Sequence, residues 1–454
     1  MTQLVVQDRA IRRVLWALLF VSSVVATVVA IRISTMSLVL GSEEGRRVYP
    51  YLAHFPPGGV RVLARVLLVA GVMASIPLGL VRRWQWIVVG AWLVVGFGLQ
   101  AELRSQTRYS LQQMFESDGA NGYYAAVKTY PAGEVLRRFE EIRPTLSVHA
   151  RGNMPGKLLF LAALSWLTTD PAVLPWLVVA CSNLGGLLLY LFVRDLTGDR
   201  VSGLIALIFY LFVPAKLFFF PVLNTVTPVV VLAFAWLWLL AVRHQRPVHA
   251  ALLGLAFYAL VFYEPLPLVM GVMFAILTWQ MLRTGELAWR VWGRQAAIAV
   301  AAVLAVHILM LATFNFDVLR AFQLLWVEAV EFNQIAQRPY TVWVFQNLFD
   351  FTVGMGVGPA VLTLGLLGVA LWQRWWQPVV MASVGGLMTV LAVDLLGVNR
   401  GEVVRLWIFL ACVLQIPAAI VCARLESRAA VFLVLSTTIV QGALGTAMMG
   451  FATP

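Results

Sequence analysis

Val14-Leu-Trp-Ala-Leu-Leu-Phe-Val-Ser-Ser-Val-Val-Ala-Thr-Val-Val-Ala-Ile31 carries no charged side chain, and a run of this length matches the ~17–25 residues that a helix needs to cross about 30 Å of hydrocarbon. Arg9, Arg12 and Arg13 precede it, and Val28-Val29-Ala30 loosely resembles a signal-peptide cleavage site. The run is longer than the apolar core of a usual signal peptide and more apolar runs follow, so a retained first helix is expected rather than a removed leader. Working outward gives about thirteen candidate spans, near 14–33, 62–81, 84–101, 173–193, 201–215, 226–242, 248–263, 266–282, 296–314, 357–373, 377–396, 404–422 and 430–450.

Composition points the same way. Of the 454 residues, 61% are hydrophobic and 12% charged, whereas roughly a quarter of a soluble domain is charged. The expected fold is an all-α integral membrane protein, a single polytopic membrane domain over residues 1–454, with an outer loop at 102–172 carrying juxtamembrane helices. The net charge of +12 suits membrane lipids with anionic headgroups and phosphate ligands. A basic stripe interleaved with aromatics is missing, so no nucleic acid partner is expected. Cys181, Cys412 and Cys422 stand in apolar segments without metal-ligand spacing and read as small buried hydrophobes.

Basic residues orient the spans. With a cytoplasmic N-terminus, Arg82-Arg83, Arg194 with Arg200, Arg243 with Arg246, the basic stretch 283–294, Arg374, and Arg424 with Arg428 all fall in short inner loops. Segments near 34–60, 102–172, 216–225, 264–265, 315–356 and 397–403 then face outward, and the plasma membrane is the expected location. The tryptophans near span ends, Trp84, Trp86, Trp372, Trp375 and Trp376, read as interfacial belts.

Nearly every unusual polar residue falls on that outer face. Phe115-Glu-Ser-Asp118-Gly-Ala-Asn121-Gly-Tyr-Tyr124 lies early in the 102–172 loop, and His149-Ala-Arg-Gly-Asn-Met-Pro155-Gly156-Lys157 leads into an apolar stretch at 155–169. That stretch is shorter than a span and predicts a re-entrant or interfacial helix. Asp118, with Glu116 beside it, is the candidate general base, because a carboxylate near the apolar phase can accept a proton from a hydroxyl. Tyr123 and Tyr124 offer stacking faces for a sugar, or interfacial anchors. The plainer role for Asp118 is a cap on a helix starting near Tyr123.

His149, Arg151, Asn153 and Lys157 flank Met154-Pro155-Gly156, where proline favours a helix start, and cations at a helix start suit a phosphate. Singly, His149 also reads as a hydrogen-bonded loop histidine and Lys157 as a headgroup anchor. A second constellation is Asn399-Arg400-Gly401-Glu402-Val-Val-Arg405-Leu-Trp407. Arg400 or Arg405 could grip a phosphate while Glu402 orients a guanidinium or fixes an acceptor hydroxyl. The alternative is an internal Glu402–Arg405 pair at i,i+3 spacing, with Asp394 neutralising Arg400. Asn224 and Glu264, with Lys216, mark outer turns that could line an acceptor groove. Asp317, Glu328, Glu331, Asn333 and Arg338 read as a solvated helix face.

The order of these elements resembles the GT-C glycosyltransferases, in particular the protein mannosyltransferase-like and bacterial branches that use polyprenyl-phosphate sugars. The likeness covers mainly residues 110–245: Asp118 to Tyr123, then Asn153-Met-Pro155-Gly156, then a short helix and a span ending in Leu-Phe-Val-Arg-Asp-Leu-Thr-Gly-Asp-Arg200. The Arg400-Gly-Glu-Val-Val-Arg405-Leu-Trp segment is similar to a late motif of some bacterial members. The chain departs from the family in having Glu116-Ser-Asp118 where two acids are often adjacent, Asn153 where histidine is common, and Asn224 where an acid is frequent.

The resemblance implies an inverting displacement at the anomeric carbon of a polyprenyl-phosphate sugar donor, with a glycan, lipid or protein as acceptor. Asp118 would take the acceptor proton, and Arg400 or Arg405, with Lys157, would meet the phosphate. Some relatives use a divalent metal, yet the sequence has no carboxylate cluster suited to one. Two rival classes stand beside this one, a lipid or glycan transporter or flippase, and a non-catalytic subunit that keeps the GT-C fold. Transporters place polar groups near the midplane on paired repeats, whereas here they gather at one face.

Overall fold

The computed structural model describes residues 9–454, apart from the side chains of Leu78 and Arg82. It is helical nearly throughout; the strands among the described residues form one short hairpin, Gly41–Ser42 against Arg47–Val48. Among the described residues ten helices are long and apolar enough to cross a membrane, or eleven if the bent pair Tyr340–Met355 and Val357–Trp372 counts as one span. The expectation of thirteen meets three shorter pieces. Residues 62–81 hold a 16-residue helix, Gly59–Ala74, that stops before Pro77, whose missing N–H cannot continue the ladder. Pro247–Tyr263 has 17 residues, and Val357–Trp372 is one arm of the pair bent by 107°.

The helices differ sharply in what surrounds them. The Arg200–Phe219 window is buried throughout, and the Ile408–Leu425 window is 94% buried; apart from the buried Ser202, Lys216, Gln415 and Arg424 both are apolar, as suits helices enclosed by others. Trp289–Phe314 buries none of its window inside the protein, and it leans on Pro247–Tyr263 at the periphery.

A second apolar cluster forms beneath the 102–172 loop, where Phe115, Tyr123, Phe139 and Met154 pack with Leu223, Tyr263 and Phe316. Each such fully buried side chain contributes on the order of 1.5–3 kcal/mol. This cluster fixes the short loop helices, among them Leu111–Glu116, Tyr124–Thr129, Val148–Arg151 and Gly156–Ser165, against the bundle.

Contacts group the chain's polar segments at two ends. At one end, Arg151 pairs with Glu328, Arg338 with Glu402, and Lys157 with Glu264, while the Tyr49 hydroxyl donates to Gly401 O at 3.2 Å. At the other, Arg12 donates to Leu425 O, Arg243 to Leu196 O and Arg294 to Gln245 O. The segments expected on one membrane side are therefore brought together, and so are those expected on the other.

Candidate functional site

Local chemistry sets the acidic turn. Ser110 opens the Leu111–Glu116 helix with a capping box: its hydroxyl accepts from Gln113 N at 3.1 Å and the Gln113 side chain accepts from Ser110 N at 2.9 Å. The chain then reverses at 117–122, where the N–H groups of Asn121 and Gly122 both donate to Ser117 O at 3.0 Å. Gly122 has φ +72°, and a Cβ there would lie 2.1 Å from Ser147 Oγ. Only glycine fits that conformation and that approach. The Ser147 hydroxyl donates to Gly122 O at 2.9 Å and accepts from Ala150 N at 3.4 Å, so one serine caps the His149 helix and docks the acidic turn on it.

The next helix, Gly156–Ser165, starts at the expected place, with Pro155 at its N-cap. A Cβ on Gly156 would lie 2.3 Å from Phe262 O. This closeness carries Lys157 to the end of the Pro247–Tyr263 helix, where its Nζ stands 2.9 Å from Glu264 Oε2, both side chains buried.

From there a continuous polar chain runs across the end of the bundle. Glu264 accepts from Asn224 Nδ2 at 3.2 Å and from the Thr227 hydroxyl. Lys157 donates to Asn153 Oδ1 at 2.8 Å. Asn153 Nδ2 and the Tyr123 hydroxyl both donate to His149 O, at 2.8 and 3.1 Å. The His149 ring meets Arg405 Nη1 through Nδ1 at 3.1 Å and Gly119 O through Nε2 at 2.8 Å. Arg405 pairs with Glu402, and Arg338 Nη2 meets the other carboxylate oxygen at 3.2 Å. Eight expected site residues, Asn224, Glu264, Lys157, Asn153, Tyr123, His149, Arg405 and Glu402, are thus joined from four distant parts of the sequence.

The remaining expected residues lie beside this chain. Asp118 and Glu116 are exposed; Glu116 accepts from Gln112 at 3.3 Å, while the Asp118 carboxylate has no partner among the described residues. Asp118 does not cap the Tyr124–Thr129 helix, which has no side-chain cap. Tyr124 is buried and donates to Thr169 O at 3.3 Å. Arg151 is paired with Glu328 at 2.5 Å, together with Arg143. Arg400 donates Nε to Gly397 O at 2.9 Å and Nη1 to Arg338 O at 2.8 Å, which makes it a clamp of its own turn.

Besides the Asp118 cap, three plainer expectations need correction. Asp394 does not neutralise Arg400, because its carboxylate accepts from Asn347 Nδ2 at 3.0 Å. Glu328, Asn333 and Arg338 are not a solvated face: Glu328 holds two arginines, and Asn333 and Arg338 are buried. Lys157 is not a headgroup anchor, since it is fully buried against an acid.

The electrostatics follow from this geometry. Burial alone would raise the Glu402 carboxyl, but Arg405 and then Arg338 outweigh it and hold it down at about 2. Burial, with Arg405 adding to it, pushes the His149 imidazole down to about 4. The ring is therefore neutral at pH 7. Gly119 O can only accept and Arg405 can only donate, so the proton sits on Nε2 and Nδ1 is the acceptor.

Sequence reasoning missed Thr227 and Tyr49, whose hydroxyls give no pattern, and Asn347. That residue ties the late loop down, with Nδ2 on Asn399 O at 2.9 Å and Oδ1 accepting from Gly401 N at 3.2 Å. Its signal was the polar set Gln346, Asn347 and Asp350 inside an apolar run. Among the described residues no group of three or more His, Cys, Asp or Glu side chains is arranged to hold a metal ion. A scan against protein-family models and a search of curated proteins both return no match to the chain.

Proposed function

We propose that the protein is a glycosyltransferase of GT-C type that moves a sugar from a polyprenyl-phosphate donor to an acceptor hydroxyl at the outer membrane face. The observation that carries this reading is the polar chain from Glu402 through Arg405 and His149 to Lys157 and Glu264, with the unpaired Asp118 carboxylate one residue from the Gly119 carbonyl that His149 holds.

The chemistry is an inverting displacement. The acceptor oxygen forms its bond to the anomeric carbon while the bond from that carbon to the phosphate oxygen breaks and its electron pair leaves on the phosphate. The acceptor proton passes to the Asp118 carboxylate. His149 is placed to orient Arg405 and the Gly119 carbonyl, whereas Asp118 is exposed and free to accept. Arg405 is the cation suited to the phosphate. Its Nη2 stays on Glu402 while Nη1, held only by a neutral imidazole, can exchange that weak acceptor for a phosphate oxygen, a charge-assisted and stronger bond. Lys157, cancelled by Glu264, positions rather than binds.

The test is transfer from a radiolabelled polyprenyl-phosphate hexose by the full-length protein in liposomes. Asp118→Asn should lower the rate by about 10²–10⁴-fold, the usual worth of a general base, with an unchanged melting temperature. Unchanged transfer in that variant would remove Asp118 as the base. Movement of the lipid across the bilayer without any sugar transfer would favour a flippase instead.

A further inference from the structure

The C-terminal end of the Gln85–Arg104 helix and the turn after it form one wall of a shallow, open recess of about 20 Å³, closed on its other side by Phe218 and by the 446–452 segment. Its charged lining is basic only: Arg104 and Arg108 stand in it and no carboxylate does. Glu102, the nearest acid in the sequence, is taken by Arg65. Arg104 Nε is buried without a hydrogen-bond partner. Arg108 gives Nη1 to Leu52 O at a long 3.4 Å and lies 5.6 Å from the Tyr109 ring centre, which leaves the rest of its donor fork without an acceptor among the described residues. The Thr107 hydroxyl between them is spent on Arg104 O and Tyr109 O, each at 2.9 Å.

A buried cationic donor left unpaired at the end of a membrane helix is costly, and the planar fork of arginine matches two oxygens of one phosphate. We propose that this recess binds a phosphate-bearing anion on Arg104 and Arg108. Met114, Phe218 and Met449 supply an apolar side to the same recess, so the anion lies at its open mouth, where a free phosphate and a phosphate carrying a hydrocarbon chain are both admitted. The recess is separate from the Arg405 chain, since none of the residues of that chain lines it. It does not depend on the sugar-transfer reading.

The experiment is calorimetric titration of the full-length protein in a non-ionic detergent with inorganic phosphate, with dihexanoyl phosphatidic acid, and with dihexanoylglycerol as the phosphate-free control. Binding of both phosphates identifies the phosphate group itself as the ligand, and binding of the phosphatidic acid alone identifies a lipid headgroup; the diacylglycerol is expected not to bind. Arg104→Gln and Arg108→Gln should each weaken binding about tenfold or more, the scale of a hydrogen bond to a charged group. Arg104→Lys keeps the charge and loses the fork, so it should weaken binding with a native melting curve even if the glutamine variant fails to fold. Binding of neither phosphate, or equal binding by wild type and all three variants, would overturn the proposal.

Discussion

His149 is held through both ring nitrogens, one donating to Gly119 O and the other accepting from Arg405. Protonation of Nδ1 would aim an N–H at a guanidinium, with Lys157 also near and Glu402 the only compensating charge. The imidazole value of about 4 in the folded protein lies below the ordinary 6.5. Between those values the unfolded chain takes up a proton that the folded chain refuses, so stability falls as pH drops from 6.5 towards 4 and is flat in this respect above 6.5. The Glu402 contribution fades in a lower window, from its ordinary 4.5 down to about 2. The expected outcome is a wild-type melting temperature that drops between pH 7 and pH 5 by several degrees more than that of His149→Gln. Parallel pH profiles for the two would show that His149 does not carry a proton-linked contact.

At the scale of elements, the site depends on how closely the Gly156–Ser165 helix approaches the end of Pro247–Tyr263. With a Cβ only 2.3 Å from Phe262 O, Gly156→Ala must push the two backbones apart and draw Lys157 away from Glu264. A loss of about 1–3 kcal/mol is expected from the overpacking alone, and more if the buried carboxylate is left unpaired. Thermal unfolding of Gly156→Ala against Gly133→Ala, where a Cβ meets nothing within 4 Å, checks this; equal melting would mean the approach is slack. The element boundaries were legible in part. Apolar run length located the helices, and Pro155 located the start of the Lys157 helix. Run length carries no angle, so the 107° bend between Tyr340–Met355 and Val357–Trp372 was not visible, although Gly356 with φ +100° marks it. The site's residue types were legible as polar interruptions, but their partners were not: the join of His149 to Arg405 and of Lys157 to Glu264 is made by tertiary packing, which no local spacing encodes.

Across the whole molecule, charge is divided between two ends with a nearly charge-free middle. One end is built from ion pairs that link distant loops, such as Arg143 and Arg151 with Glu328 and Arg338 with Glu402. The other is dominated by arginines that donate to helix-end carbonyls, such as Arg12 to Leu425 O and Arg243 to Leu196 O. Cations that lack acid partners are kept on the cytoplasmic side by the positive-inside bias, so the arginine-to-carbonyl end should face the cytoplasm and the ion-paired end the exterior. The exposed Glu141 sits at the ion-paired end, and the exposed Arg246 at the other. With Cys181, Cys412 and Cys422 replaced by alanine, a membrane-impermeant maleimide should label Glu141→Cys in intact cells and label Arg246→Cys only after permeabilisation. Loss of the Glu141–Arg138 surface pair should leave folding intact, since such pairs contribute about 0–1 kcal/mol. The reverse labelling pattern would invert the molecule in the membrane and, with it, place Asp118 and Arg405 where an outward-facing lipid-linked donor could not reach them.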